Sequence, residues 1–193
     1  SVFAADQQSL DTPTNNFATC NPLWFRTGYV PTFSAGNLKV KATSGSSWSW
    51  MSTIGVQSGK WYFEMFCASD VDYSTFGISD AGAIMDDHDQ SPRRFYNDSG
   101  NKEAASGGGS YGASWTTSDI MACAFDIDAG TITFYKNNVS QGVAFTNIAS
   151  ELPASGWAPG GTMAGTNETQ ILNFGQDSSF AGNETAQGNC GAG

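Results

Sequence analysis

Apolar and polar positions alternate at period two through much of this chain, and Gly, Asn, Asp and Ser cluster between the alternating runs. That pattern predicts short β-strands joined by tight turns and no amphipathic helix. The clearest unit runs from Asp119 to Asn138. Ile120 to Ile127 is an apolar, β-prone run. Asp128-Ala129-Gly130 is a turn, in which Asp can bond its own downstream backbone and Gly accepts a positive φ. Thr131 to Tyr135 returns as a second strand, and Lys136-Asn137-Asn138 turns again. Alternation puts Met121, Cys123, Phe125 and Ile127 on one face and Ile120, Ala122, Ala124 and Asp126 on the other. Both faces are largely apolar, so the first strand is expected deep within a sheet, away from its edge.

The same reading places the other elements. Residues 1–37 are turn-rich, with Phe17, Leu23, Trp24 and Phe25 as isolated apolar anchors, and read as an extended lead-in lying over the sandwich. Leu38 to Ala42 is the first full strand. Trp48-Ser49-Trp50 puts two indoles on one face, either as core or as a solvent-facing aromatic platform. Lys60 to Cys67 alternates strongly, with Trp61, Phe63, Met65 and Cys67 on one face and Tyr62, Glu64 and Phe66 on the other. Glu64 is expected to be an acid satisfied by a neighbouring strand. Strands or strand-turn units follow at Ser74–Ser79, Phe95–Lys102, Gly142–Ile148 and Ile171–Gln176. Residues 177–193 read as a Gly-, Asn- and Ser-rich tail or linker. The expectation is an all-β sandwich of two antiparallel sheets over residues 38–176.

Composition sharpens this picture. The chain has 193 residues, enough for one domain with a sizeable core. Only 13% of residues are charged, 13% are aromatic and 23 are Gly, which suits strands and turns better than a helical bundle. Eight basic residues against eighteen acidic ones give a net charge of −10. That balance argues against nucleic acid and anionic membranes as partners. No apolar run is long enough for a transmembrane helix, so membrane insertion is not expected. Ser1 carries neither an initiator Met nor a signal-peptide pattern, as expected of a processed product or a fragment. Cys67 and Cys123 fall in apolar strands and read as buried thiols. Cys20 and Cys190 lie near the two ends, where a bridge between them stays open. No Cys-x-x-Cys pair supports zinc.

Five segments, in order, resemble the SPRY domain family. They are Ser58-Gly59-Lys60-Trp61-Tyr62-Phe63-Glu64-Met65; Phe76-Gly77-Ile78; Tyr111-Gly112 with Trp115 and Ser118-Asp119, followed by the 119–138 hairpin; Gly142-Val143-Ala144-Phe145-Thr146-Asn147-Ile148; and Leu172-Asn173-Phe174-Gly175. The hairpin departs from the family pattern at Ser118 and Asn138, where the family has Gly. The resemblance spans roughly Gly55 to Gln176 and implies a concanavalin-like, jelly-roll-like sandwich of two curved sheets. It also implies a recognition module that binds through loops on one rim and carries no catalytic machinery. Outside those segments, Leu10 to Leu23 and Asn173 to Gly182 are similar to SPRY-type modules in structural proteins of marine bacteriophages.

Candidate chemistry follows from loop position. The leading expectation is a non-enzymatic module on a virion, in a tail fibre, tip or capsid decoration, within a larger homo-oligomeric assembly. It would bind a glycan or protein on a host surface, or a neighbouring virion subunit. Aromatic faces and hydrogen-bonding loops suit sugars, which points to Trp48, Trp50, Tyr73, Arg93, Arg94, Tyr96 and Trp115 as ligand-binding residues. Asp80, Asp86, Asp87 and Asp89 are hard oxygen ligands of the kind calcium takes. They lack the spacing and Gly of an EF-hand loop, so a solvated acidic loop beside His88, with no cofactor, is expected. Concanavalin-like sandwiches also host glycan-active enzymes. A retaining hydrolase needs two carboxylates about 5 Å apart, whereas Glu64, Glu103, Glu151, Glu168 and Glu184 are scattered and only Asp126 and Asp128 cluster on a strand. A third reading is a cellular or secreted SPRY adaptor. The sequons at Asn97, Asn138, Asn167 and Asn183 allow glycosylation in a eukaryotic source.

Overall fold

A computed structural model describes residues 16–25, 28–45, 48–70, 72–83, 92–105 and 107–185. The strands are β1 (Thr32–Ser34), β2 (Lys39–Lys41), β3 (Trp48–Met51), β4 (Lys60–Ser69), β5 (Tyr73–Asp80), β6 (Arg93–Asn97), β7 (Asn101–Ala104), β8 (Gly109–Ser110), β9 (Ile120–Asp126), β10 (Thr131–Lys136), β11 (Val139–Phe145), β12 (Trp157–Ala164) and β13 (Thr169–Asn173). Seven form one antiparallel sheet in the order β1-β2-β13-β4-β9-β10-β11, and six form the other in the order β3-β12-β5-β6-β7-β8. The all-β two-sheet sandwich is therefore as expected. The β9–β10 hairpin pairs Asp126 with Thr131 and Met121 with Lys136, and β9 lies between β4 and β10.

The inner faces meet in a core rich in rings. Phe63 of β4 packs edge-on against Phe76 of β5, and Phe134 of β10 packs against Phe76 and Tyr96 at centroid distances of 5.3 and 5.4 Å. Alternation explains the selection: Phe63, Met65 and Cys67 point inward and are buried, as are Met121, Cys123 and Phe125. Cys67 and Cys123 are buried free thiols, and burial pushes both up in pKa. Cys20 is likewise a buried thiol, while Cys190 and the expected bridge to it lie outside the described residues.

The sheets are also joined by a buried polar link. Trp50 Nε1–H donates to Gln170 Oε1 (2.6 Å), and Gln170 Nε2–H donates to Ser74 Oγ (2.7 Å) and to the Thr75 carbonyl (3.1 Å). All these groups are shut off from water, so removing one side leaves the others unmatched. Gln170→Leu is expected to cost about 2 kcal/mol, read as a lower midpoint in denaturant at unchanged slope. An unchanged midpoint would show that the link is dispensable.

The lead-in and the tail are more structured than the sequence suggested. Cys20 bridges Ser52 beyond the end of β3, and its amide donates to the Asn37 carbonyl (3.0 Å), tying the β1–β2 hairpin to the second sheet. Residues 177–185 form turns, and the buried Phe180 ring packs on the outward-facing Phe66 of β4 at 5.9 Å. The segment joined to β13 thus covers the outer face of the first sheet.

Candidate functional site

Asparagine 173 ends β13 opposite Glu64, yet β4 continues to Lys60 along β9. Residues 60–63 therefore have a strand neighbour on one side only. On the open side lies a cleft of about 240 Å³. Six aromatic residues line it: Phe17, Trp61, Tyr62, Phe63, Phe125 and Phe174, joined by Ile54, Val56 and Pro159 among others. Trp61 and Tyr62 are 46% and 55% exposed at its mouth.

Residues 173–176, at and just beyond the end of β13, hold one side of the cleft in place, each by a different means, with Phe174 in its lining. Asn173 Nδ2–H donates to Glu64 Oε2 (2.9 Å), and its Oδ1 accepts from the Gly175 amide (2.9 Å). The Phe174 ring stacks on Phe63 at 5.8 Å. Gly175 leaves room for Phe17: a Cβ there would lie 2.9 Å from the Phe17 ring. Gln176 Nε2–H holds the Ala18 carbonyl (2.7 Å), which pins the lead-in across the cleft.

The rings at the mouth are held as well. Trp61 Nε1–H donates to the Ser58 carbonyl (2.7 Å), laying the indole over the Ser58-Gly59 turn. Tyr62 Oη–H donates to Glu64 Oε1 (2.8 Å), so Glu64 receives both Tyr62 and Asn173. It is the satisfied acid expected from the sequence. Burial of the ring, and then the Glu64 carboxylate, push the Tyr62 hydroxyl up in pKa. The cleft thus offers flat apolar faces with fixed polar edges and holds no paired acids.

All seven residues expected to bind ligand lie elsewhere. Trp48 and Trp50 belong to β3 and are buried: Trp48 donates to the Ser44 carbonyl (2.8 Å) and packs edge-on with Tyr29, and Trp50 is the sheet link above. The core reading of this pair is the correct one. Tyr96 lies in β6 with its ring against Tyr111 and Phe134 and its hydroxyl donating to the Ala113 carbonyl. Trp115 is buried against Phe76. Arg94 is 1% exposed; its guanidinium pairs with Glu151, donates to the Arg93 carbonyl (2.6 Å) and sits over the Phe145 and Trp157 rings. These five side chains present no face to solvent. Only Tyr73, whose hydroxyl donates to Glu103, and Arg93 are half-exposed.

Asp86, Asp87, His88 and Asp89 lie outside the described residues. Asp80 accepts from the Gly82 amide (2.9 Å) and from Ser155 Oγ. Among the described residues no three carboxylate, thiol or imidazole groups converge on a metal position. Trp61 and Tyr62 were missed because alternation assigns them to faces of a paired strand. Nothing in the sequence marks where the neighbouring strand stops.

Comparison with known proteins agrees with this architecture. The profile of the SPRY domain family matches residues 47–177. The chain is 40% identical over 75 residues to the E3 ubiquitin-protein ligase RKP of Arabidopsis thaliana, a match covering 39% of this chain and 6% of that protein. It is 31% identical over 121 residues to Ran-binding protein 10 of Danio rerio, covering 59% of this chain and 20% of that protein. It therefore spans only a small part of either relative. The SPRY domain of human HERC1 superposes with a TM-score of 0.67 at 19% identity, covering 82% of this chain and 99% of that one. Stonustoxin superposes with a TM-score of 0.60 at 21% identity, covering 81% of this chain and 27% of that one. The chain belongs to the SPRY domain family.

Proposed function

We propose that this SPRY domain is a non-catalytic recognition module that binds its partner at the aromatic cleft. The observation that carries this reading is the cleft itself, with Trp61 and Tyr62 fixed at its mouth and half-exposed. Ring faces of that kind stack on sugar rings or take apolar side chains of a protein. The proposed setting is a phage virion or another extracellular assembly, where the module meets a host-surface glycan or protein, or a neighbouring subunit. That setting is supported by the segments at residues 10–23 and 173–182. A cellular protein-interaction adaptor is the second reading, favoured by the similarity to a plant ubiquitin ligase and a fish Ran-binding protein.

A glycan array and a panel of surface-protein peptides, probed with the native domain and Trp61→Ala, test the proposal. Binding is expected to weaken by about tenfold in the variant, roughly 1.4 kcal/mol, with its melting temperature within about 2 °C of the native value because the indole is half in water. No oligosaccharide should be released. Unchanged binding would move recognition off the cleft, and released product would overturn the non-catalytic reading. Glycan binding favours the virion setting; binding confined to peptides favours the adaptor.

A further inference from the structure

Antiparallel pairing fixes which way each backbone group of β4 points. The Cys67 N–H donates to the Asp119 carbonyl (3.0 Å), and the Cys67 carbonyl accepts from the Ser118 amide (2.8 Å). At the other end of the strand the Ile127 amide donates to the Gly59 carbonyl (3.0 Å). Odd-numbered residues of β4 therefore turn their N–H and C=O towards β9, and even-numbered ones turn theirs towards β13. The β13 side agrees. The Leu172 amide donates to the Leu38 carbonyl (2.7 Å), away from β4, so Ile171 and Asn173 face Phe66 and Glu64.

Beyond Glu64 the next even-numbered residues of β4 are Tyr62 and Lys60. Their N–H and C=O groups face the side that β13 has left, and among the described residues no strand pairs with them there. This edge lacks the usual guards: residues 60–63 contain no Pro, their pairing with β9 has no bulge, and the one lysine is drawn to Asp126. The inward side chains of the same stretch, Trp61 and Phe63, line the cleft, and no charged residue does. At about 240 Å³ the cleft is smaller than the roughly 300–1,000 Å³ of pockets that enclose a drug-sized ligand. It suits one large apolar side chain, set beside main-chain groups that need partners.

We infer that a partner polypeptide adds a strand here, antiparallel to β4 and in line with β13, with one apolar side chain in the cleft. This rests on the cleft being the recognition site and names its occupant. Open N–H and C=O groups beside an apolar slot select an extended peptide, whose own backbone supplies the matching acceptors and donors at the matching spacing. A sugar ring does not repeat that spacing. A guest running in the direction of β13 meets Tyr62 first and exchanges hydrogen bonds with it. Its next residue stands opposite Trp61 and turns inward with it, so that residue is the anchor. The one after exchanges hydrogen bonds with Lys60. Alternation sends the two flanking side chains to the outer face. The selected sequence is one large apolar residue between two β-prone ones.

Capped Gly-Thr-Z-Thr-Gly peptides, with Val, Leu, Ile, Phe or Trp at Z, are titrated into the native domain. Saturable binding is expected for at least one of them and none for the peptide with Asp at Z. Methylating a backbone nitrogen separates strand addition from simple stacking of the side chain. On either Thr it removes a hydrogen bond to Tyr62 or Lys60 and should weaken binding about tenfold. On Z, whose N–H points away from β4, it should leave binding within about threefold. Exchange of the Tyr62 and Lys60 amide protons should slow by about tenfold or more at saturation. Equal binding of the Thr- and Z-methylated peptides would overturn the inference, as would unprotected amides or the absence of any saturable peptide. The cleft keeps its own readout in Trp61→Ala. Peptide or glycan binding that weakens in that variant, with Thr methylation having no effect, retains the cleft and removes the added strand.

Discussion

Gly77→Ala is expected to remove at least about 3 kcal/mol of stability, and with it most of the soluble protein at growth temperature. Gly77 sits in β5 between Gly160 of β12 and Phe95 of β6. A Cβ on it would lie 2.1 Å from the Arg94 carbonyl oxygen and 3.0 Å from the Phe95 Cα. These are backbone atoms of a paired strand, so no side-chain rotation relieves the clash. Either β6 shifts away from β5 or the ladder breaks. The shift would carry Arg94, Phe95 and Tyr96, all buried, out of the core. A domain of this size loses roughly 2–4 °C in melting temperature per kcal/mol, so a fall of roughly 6–12 °C is expected. Gly45→Ala is the control: its nearest neighbour would be Thr166 Oγ1 at 3.9 Å, and it should melt with the native protein. A Gly77→Ala domain that also does so would mean that the strands separate without cost.

Gly77 also shows how far sequence reasoning reached. The Phe76-Gly77-Ile78 segment stood out, and its physical content is the close approach of a neighbouring backbone. The same holds for Asn173-Phe174-Gly175-Gln176, where each residue type is required by a contact of its own. Period-two alternation located β4, β9 and β10, because each has an inner face that must be apolar. It failed where burial depends on what lies across the chain. Trp48, Trp50, Tyr96 and Trp115 stand among polar residues and looked like loop aromatics. They are core because a second sheet covers them, and that sheet is set by pairings distant in sequence. Trp61 and Tyr62 present the converse: a strong strand pattern, exposed because β13 stops early. Phe180 lay in Gly- and Ser-rich text, and only the outward faces of Phe66 and Ile171 give it a place to pack.

Glu168→Gln is expected to stabilise the domain at pH 8 by on the order of 3 kcal/mol relative to pH 5. Burial raises the Glu168 carboxyl from 4.5 to about 8, and the nearby Asp70 and Asp98 charges add to the rise; the Ser74 hydroxyl and the Tyr73 backbone offset it only in part. A folded-state pKa above the unfolded one means that the folded protein keeps a proton the unfolded chain releases. Below pH 4.5 both states hold the proton and there is no penalty. Between pH 4.5 and about 8 the unfolded state gains by ionising, and stability falls by about 1.4 kcal/mol per pH unit. Above pH 8 both states are ionised and the loss stops growing. Asp70 and Asp98 are shifted in the same direction, chiefly by burial, so each adds a loss that begins as pH rises above the ordinary carboxylate value. Asp119, Asp126 and Asp177 are held below the ordinary carboxylate range by hydrogen bonds, joined for Asp119 and Asp126 by a lysine. Their stabilisation is lost only as pH falls through those lowered values. The native domain should therefore be most stable in mild acid. A glutamine keeps the shape of Glu168, cannot ionise, and can donate its amide towards the neighbouring carboxylates. Denaturant unfolding at pH 5 and pH 8 should show the alkaline loss flattened in Glu168→Gln and the acid limb unchanged. Parallel curves for the two proteins would show that Glu168 is ionised in the fold at both pH values, with a cation or water supplying what its oxygens otherwise lack.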